Sequence, residues 1–232
     1  MANLLHLDTS IRATGSTSRT LSGLYTDEWR RRHPQGGYRY RDLAATPIPH
    51  ITQPVRQYAL DPGGEHPAVT AEEKALTGAV VEEMHWATTV VLGVPMYNYS
   101  VPSTLKAWLD RFIVPSYLVE LAGDAAPLRG KAVVVVTARG NTYSPDSGHG
   151  RLDLQEPYLR AIFKAVGMDD VRFVHAEMTM AKELPFLADH RPMAELSLAA
   201  AAEALRRLVH GPAPVAGAQT RPLMDSGQIA TG

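Results

Sequence analysis

A loop rich in hydroxyl groups follows the first apolar segment of the chain. It offers the side chains of Ser10, Ser16, Thr17 and Ser18, and it leads into a segment with helical character. The helix adds free backbone N–H groups and the positive end of its dipole. Because such donors suit a phosphate monoester, the loop is interpreted as a phosphate-binding loop or, alternatively, as a Ser/Thr-rich helix cap. The dinucleotide pattern G-x-G-x-x-G and the P-loop pattern are both missing from it.

A second loop combines aromatic and amide side chains after the very apolar residues 89–94. Its members are Pro95, Met96, Tyr97, Asn98 and Tyr99. Backbone N–H groups in such a turn suit the edge of a planar heterocycle, and aromatic side chains can cover its face. We interpret the loop as a ring-binding site, and the alternative is an ordinary strand–helix connection with exposed aromatic residues.

A third loop follows the strongly apolar residues 131–138. It starts with Ala138, Arg139, Gly140 and Asn141, and Gly140 would let the backbone approach a ligand closely. The polar stretch that continues to Leu152 is longer than a minimal strand–helix link, so a mobile lid is expected there. No catalytic residue is assigned, although Tyr143 and His149 on this stretch are weak candidates for proton donation. One loop for a phosphate and two for a flat ring describe an FMN pocket, provided that the three loops converge.

Alternating strand and helix patterns predict how these loops are positioned. The strands are expected at residues 4–7, 38–42, 89–94, 131–138 and 171–177, and the helices at 18–33, 70–87, 101–112, 154–166 and 193–210. Thr70 followed by Glu73 has the spacing of a capping box. Strands that are apolar on both faces predict an α/β fold with a parallel sheet covered on both sides. Such sheets bind ligands at the carboxyl ends of their strands.

Composition excludes several classes of protein. The chain has 232 residues, of which 45% are hydrophobic, and a formal net charge of −1, so no overall field favours nucleic acid or anionic lipid. With no cysteine, a thiol nucleophile, a disulfide scaffold and Cys-rich metal sites are excluded, and no metal site is expected. No targeting segment or membrane-length apolar run is visible, which predicts a cytoplasmic protein. We expect one domain over residues 1–210 and a disordered tail over 211–232.

Several motifs together resemble one family. They are LDTSIR with STS, RDLAATPIP (residues 41–49), residues 94–111, TARGNTYS (137–144) and residues 152–167. This combination resembles the bacterial FMN-dependent NADH:azoreductases, which belong to the flavodoxin-like NAD(P)H:quinone reductases. The resemblance implies a flavodoxin-like doubly wound five-stranded sheet of order 2-1-3-4-5. It also implies a homodimer with FMN at the interface, NADH or NADPH as donor, and a quinone or azo compound as acceptor.

The resemblance also implies roles for individual residues. Ser10 and residues 16–18 would hold the phosphate, residues 96–99 would line the isoalloxazine with Asn98 near its N5 edge, and residues 138–141 would contact its pyrimidine end. Two departures stand out. Asn141 replaces a second glycine, and residues 112–121 match the family poorly. Tyr117 would substitute for an aromatic residue of that segment and, with Tyr143, bind the substrate.

Two alternatives to a general quinone or azo reductase remain open. One is a pathway-specific flavoenzyme that acts on a polycyclic or quinone-like biosynthetic intermediate. The other is a non-catalytic FMN electron carrier, which the net charge of −1 disfavours because such carriers are usually strongly acidic. A hydrolase is the weakest interpretation, since the chain has no G-x-S-x-G elbow.

Overall fold

A parallel β-sheet forms the centre of the molecule. The computed structural model describes residues 1–114 and 117–210, and over these residues the sheet has five strands in the order β2-β1-β3-β4-β5. The strands are β1 (Asn3–Asp8), β2 (Gly37–Asp42), β3 (Thr89–Pro95), β4 (Ala132–Ala138) and β5 (Asp170–Ala176), and each pairs in parallel with its neighbours. The predicted fold class and strand order are therefore confirmed.

Helices cover both faces of this sheet. The strand residues Leu4, Val91 and Val134 pack with α1 (Thr17–Arg32) and α7 (Arg191–His210) on one face. The alternate residues Leu5, Val90 and Val133 pack on the other face with α3 (Ala71–Trp86), α4 (Ser103–Phe112) and α6 (Gln155–Ala165). Because successive strand residues point to opposite faces, the central strands had to be apolar at nearly every position.

The helix ends follow local sequence signals, but the sequence pattern did not predict two short helices. The capping box of α3 is present: Thr70 Oγ1 accepts from the Glu73 backbone N–H, and Glu73 accepts from the Thr70 backbone N–H. Inside the Pro-rich connection lies α2 (Gln53–Leu60), which has Pro54 in its first turn. Proline is compatible with that position because the first N–H groups of a helix have no intrahelical partner. A short helix, α5 (Val119–Ala122), follows α4.

The strand order places a crevice between β1 and β3. From β1 the chain crosses to β2 on one side, whereas from β3 it crosses to β4 on the other. The loops that leave the carboxyl ends of β1 and β3 therefore diverge, which makes this the topological switch point.

No helix among the described residues is long and apolar enough to cross a membrane. The expected tail over residues 211–232 lies outside the described residues, and the division into one domain and a tail stays a prediction.

Candidate cofactor site

The β1 loop (residues 9–16) brings the predicted hydroxyls together at the start of α1. Ser16 is the N-cap, and its Oγ accepts from the Arg19 backbone N–H at 3.4 Å and lies 3.3 Å from Ser18 Oγ. Ser10, Ser16 and Ser18 are buried, and Thr17 is half-buried. The first backbone N–H groups of α1 point out of the helix end without intrahelical acceptors. Hydroxyls and N–H groups at one helix end are a suitable donor set for a phosphate.

The β3 loop (residues 96–102) is a tight turn with unusual backbone geometry. Tyr97 and Ser100 exchange two backbone hydrogen bonds, of 3.1 and 3.0 Å. Between them Asn98 and Tyr99 have φ of 47° and 68°, a region that non-glycine residues seldom adopt. In the part of the chain that the structure describes, the backbone N–H groups of these two residues have no acceptor. Both residues are exposed, so these two donors face solvent and are available to a ligand at this turn.

The β1 and β3 loops are in direct contact. Tyr97 Oη accepts a hydrogen bond from the backbone N–H of Ile11 at 3.2 Å. Below it, Met96 extends the ladder by donating to the carbonyl of Ala138 at 2.8 Å, and the carbonyl of buried Pro95 accepts from Gln155 Nε2. The predicted phosphate-binding and ring-binding loops therefore converge at the switch point.

The β4 loop (residues 139–154) begins with a fixed backbone. The N–H of Arg139 donates to the carbonyl of Ala176 at 2.8 Å, and its carbonyl accepts from both the N–H and the Oγ1 of Thr179 at 3.0 Å. The next two N–H groups, of Gly140 and Asn141, have no acceptor within the described ranges. They are a further pair of donors at the carboxyl edge of the sheet.

The Arg139 side chain is surrounded by three carboxylates. It is 2% exposed, and its Nη1 lies 3.0 Å from Asp153 and 3.8 Å from Glu177, while its Nη2 lies 3.7 Å from Glu156. The backbone N–H and carbonyl of Arg139 are also bonded within the chain, so the free backbone donors of this loop are those of Gly140 and Asn141. Among the described residues, Nε and Nη2 of Arg139 are buried without a hydrogen-bond partner.

Glu156 of this group also bonds His175 and Arg160. Burial raises its pKa, but the hydrogen bond from His175 Nε2 (2.8 Å) and the bond from Arg160 outweigh burial and lower the pKa to about 2. Glu156 therefore stays ionised at neutral pH and helps to hold the base of the β4 loop.

Tyr143 and His149 lie beside the β3 loop. The ring of Tyr143 contacts that of Tyr99 at 6.4 Å and 74°, and that of His149 at 6.4 Å and 67°. Burial raises the pKa of the Tyr143 hydroxyl above its ordinary value of 10. The loop is anchored at its far end, where Leu154 donates its N–H to the Tyr99 carbonyl at 3.0 Å.

Tyr117 lies apart from the other predicted residues. It is 8% exposed, and its Oη lies 2.9 Å from Nε2 of His85 in the last turn of α3. That turn precedes β3, so the contact is at the amino edge of the sheet, opposite the three loops. Within this chain Tyr117 therefore does not meet the three loops, and its substrate-binding role stays a prediction.

The sequence patterns did not indicate that the β5 segment (residues 177–190) lies beside the site. Ideal Cβ geometry at Gly140 would place a methyl 2.5 Å from Met180 Sδ, so Met180 covers this glycine closely. Arg12 Nη2 of the β1 loop pairs with Glu183 at 2.6 Å. The only signal in the sequence was the position of this segment after the last strand, since parallel sheets bind ligands at that edge.

Residues 2–196 match the model of a protein family that is described as having a flavodoxin-like fold. The chain belongs to this family of flavodoxin-like proteins, which confirms the resemblance found in the motifs.

The similarity to named relatives extends over most of the chain. An FMN-dependent NADH:quinone oxidoreductase of Frankia casuarinae is 40% identical over 206 residues, which are 89% of this chain and 98% of the relative. A protein of the same name from Streptomyces coelicolor is 36% identical over 198 residues, covering 85% and 89% of the two chains.

Solved structures share the fold at low sequence identity. An azoreductase from Bacillus anthracis has a TM-score of 0.73 at 19% identity, with 90% of this chain and 99% of that chain covered. An FMN-dependent NADH-azoreductase of the same organism, in complex with FMN, has a TM-score of 0.71 at 22% identity, with 90% and 100% covered.

Proposed function

We propose that this protein is an FMN-dependent NADH:quinone oxidoreductase that also accepts azo compounds. One observation carries the proposal: the β1, β3 and β4 loops meet at the carboxyl edge of the sheet, where they present hydroxyls and backbone N–H groups that have no acceptor among the described residues. Relatives that are 36–40% identical have names that state this activity.

The residues present fit FMN. Ser10, Ser16 and the first turn of α1 supply hydroxyl and backbone N–H donors for a phosphate at a helix N-terminus. The N–H pairs of residues 98–99 and 140–141 supply donors for the polar edge of a flat ring, and Tyr97, Tyr99 and Met96 supply side chains around it. When bound, FMN supplies the hydride chemistry between NADH and the acceptor, with NADPH as the alternative donor.

The chain's own residues hold the loops around the cofactor, orient the acceptor and supply it with a proton. The Tyr97–Ile11 bond sets the distance between the β1 and β3 loops, and the buried Arg139 cluster fixes the backbone of the β4 loop. Tyr99 and Tyr143 form an aromatic wall for a planar acceptor. A quinone that gains a hydride needs one more proton to become a quinol. Tyr143 Oη is protonated at neutral pH, since the ordinary tyrosine pKa is 10 and burial raises the pKa of Tyr143 further. Tyr143 is the first candidate for that proton and His149 the second.

Assembly and location are part of the same proposal. We infer a homodimer with the site near the subunit interface, and a cytoplasmic location, from the motifs shared with the azoreductases. Light scattering coupled to gel filtration tests the first, with a mass of twice 25.2 kDa expected. A monomer at micromolar concentration would contradict it.

The decisive experiment is an anaerobic titration of the purified, FMN-reconstituted protein. Rapid bleaching of the oxidised-flavin bands by NADH, followed by recovery on addition of a quinone, is expected. A protein that takes up no FMN would overturn the proposal, and flavin bands that NADH leaves unchanged would favour an electron carrier.

A pathway-specific flavoenzyme is the second candidate. Asn141 favours it, because its side chain lies at the β4 loop and its Oδ1 accepts from the Thr142 N–H at 2.8 Å. The position of Tyr117 away from the three loops favours it as well. A panel of quinones, polycyclic ketones and azo dyes distinguishes the two. Similar kcat/KM values across the panel would exclude this candidate.

A further inference from the structure

Arg19 connects the β1 loop to the end of β2. It lies in the first turn of α1, and its side chain is 16% exposed. Nη2 donates to the Ser10 carbonyl at 2.7 Å, and the two Nη atoms bond both carboxylate oxygens of Asp42 at 2.7 and 2.8 Å. Nη1 also donates to Tyr40 Oη at 3.1 Å. This two-point geometry is one that arginine provides and lysine does not.

Two carboxylates lie directly behind the loop that would receive the phosphate. Asp42 ends β2, and its bonds to Arg19 and to the N–H groups of Ala44 and Ala45 lower its pKa to about 2. Asp8 ends β1, is 3% exposed, and lies 3.6 Å from Arg19 Nη1.

Asp8 is ionised as well. Burial raises its pKa, but the contacts with His6, Ser22 and Arg19 outweigh burial and lower it. Its Oδ1 accepts from Ser22 Oγ at 2.8 Å, and its Oδ2 accepts from Tyr40 Oη at 3.1 Å and lies 3.5 Å from His6 Nε2. At neutral pH the β1 loop is therefore backed by two negative charges, with the Arg19 cation between them.

The Nη atoms of Arg19 are already used within the chain, whereas its buried Nε has no hydrogen-bond partner among the described residues. Its four Nη hydrogens have acceptors in Ser10, Tyr40 and both oxygens of Asp42. These atoms hold the loop and neutralise the carboxylates, and they are not free to bind a phosphate themselves.

We propose that Arg19 is a positioning residue that makes the β1 loop selective for a phosphorylated flavin. It fixes the peptide of Ser10 and compensates Asp8 and Asp42, which would otherwise repel a phosphate dianion. The inference rests on the proposed function, because it concerns the affinity of the same site for FMN. It predicts that loss of Arg19 weakens binding of FMN far more than binding of riboflavin, which lacks the phosphate.

The test measures the Kd of FMN and of riboflavin by flavin fluorescence, on the apo-forms of the wild-type chain and of Arg19→Met. We expect the FMN Kd to rise by about 30-fold, in line with an uncompensated charge near the ligand, and the riboflavin Kd to change by less than about 3-fold. The matched control is Arg32→Met, which removes the same charge from the exposed last turn of α1. It should leave both constants unchanged.

Two further variants separate compensation from general loss of structure. Arg19→Met with Asp42→Asn removes one of the two carboxylates and should recover part of the FMN affinity without changing riboflavin. Arg19→Lys keeps the charge without the two-point bond, and it should give an intermediate FMN Kd even if Arg19→Met does not fold.

The outcomes are distinguishable. Equal losses for FMN and riboflavin, an unchanged FMN Kd, or no recovery in the double variant would overturn the role of Arg19 while leaving FMN binding intact. A wild-type chain that binds neither flavin would overturn the proposed function and this inference together.

Discussion

At the scale of single residues, Gly93 shows how closely the crevice is built. It lies in β3 beside β1, and an ideal Cβ at this position would lie 2.3 Å from Asp8 Oδ1, 2.9 Å from Ser22 Oγ and 3.2 Å from the Ser18 carbonyl oxygen. Any side chain there would displace both a buried carboxylate and the backbone of α1. Glycine is thus required by the close approach of α1 to the sheet, not by its φ angle.

Gly93→Ala is therefore expected to destabilise the protein. Overpacking against a fixed polar group should lower the free energy of unfolding by about 3 kcal/mol, measured by urea denaturation. Gly78→Ala is the matched control, because Gly78 is exposed in α3 and an added Cβ would meet nothing within 4 Å. That control should stabilise the protein by about 0.5–1 kcal/mol. Equal effects of the two substitutions would contradict the close approach at Gly93.

At the scale of elements, the apolar pattern was sufficient to predict the strands of the sheet but not every helix around it. Strands such as β3 and β4 are buried at nearly every position, so their sequences carry a strong and local signal. In contrast, α2 begins at Gln53 with Pro54 in its first turn, and the Pro-rich composition around it indicated a loop instead of a helix.

The site was predictable where its residues follow strands, and not where its contacts join distant parts of the chain. The β1, β3 and β4 loops were identified because each follows an apolar strand. The Arg19–Asp42 and Arg12–Glu183 pairs span 23 and 171 positions, and no local pattern marks them. Tyr117 was assigned from its place in the segment that the resemblance implies for an aromatic residue, and that role stays a prediction. Within this chain, packing against α3 determines where its side chain lies.

Glu156 offers a test of how α6 is fixed to the sheet. Its pKa is lowered from 4.5 to about 2, so ionised Glu156 stabilises the folded state above pH 4.5, and this contribution is lost as the pH falls towards 2. Glu156→Gln should lower the free energy of unfolding by about 2 kcal/mol at pH 7, because the bonds to His175 and Arg160 lose their charge.

The measurement is urea denaturation of both proteins between pH 7 and pH 3. The difference between them should shrink below pH 4.5. Lys106 and Asp110 form an exposed pair four residues apart on α4, so Asp110→Asn is a suitable control with an expected effect under about 0.5 kcal/mol. A difference for Glu156→Gln that is constant over the whole range would show that charge does not cause it.

At the scale of the whole molecule, the carboxyl edge of the sheet is a single connected surface. The β1 loop bonds the β3 loop through Ile11 and Tyr97, the β3 loop bonds the end of the β4 loop through Tyr99 and Leu154, and the β5 segment bonds the β1 loop through Glu183. A ligand that contacts several of these loops stabilises all of them together.

The melting temperature should therefore respond to FMN as a property of the entire fold. At a free FMN concentration of 100 times Kd, binding adds about 2.7 kcal/mol to the folded state, which corresponds to a rise of roughly 5–10 °C for a chain of this size. Differential scanning calorimetry of the apo-protein with increasing FMN measures this rise. AMP is the control ligand, because it carries a phosphate and a planar ring but no isoalloxazine, and it should leave the melting temperature within about 1 °C. Equal rises with AMP and FMN would mean that the β1 loop alone binds the ligand, whereas a rise confined to FMN requires the β3 and β4 loops to take part.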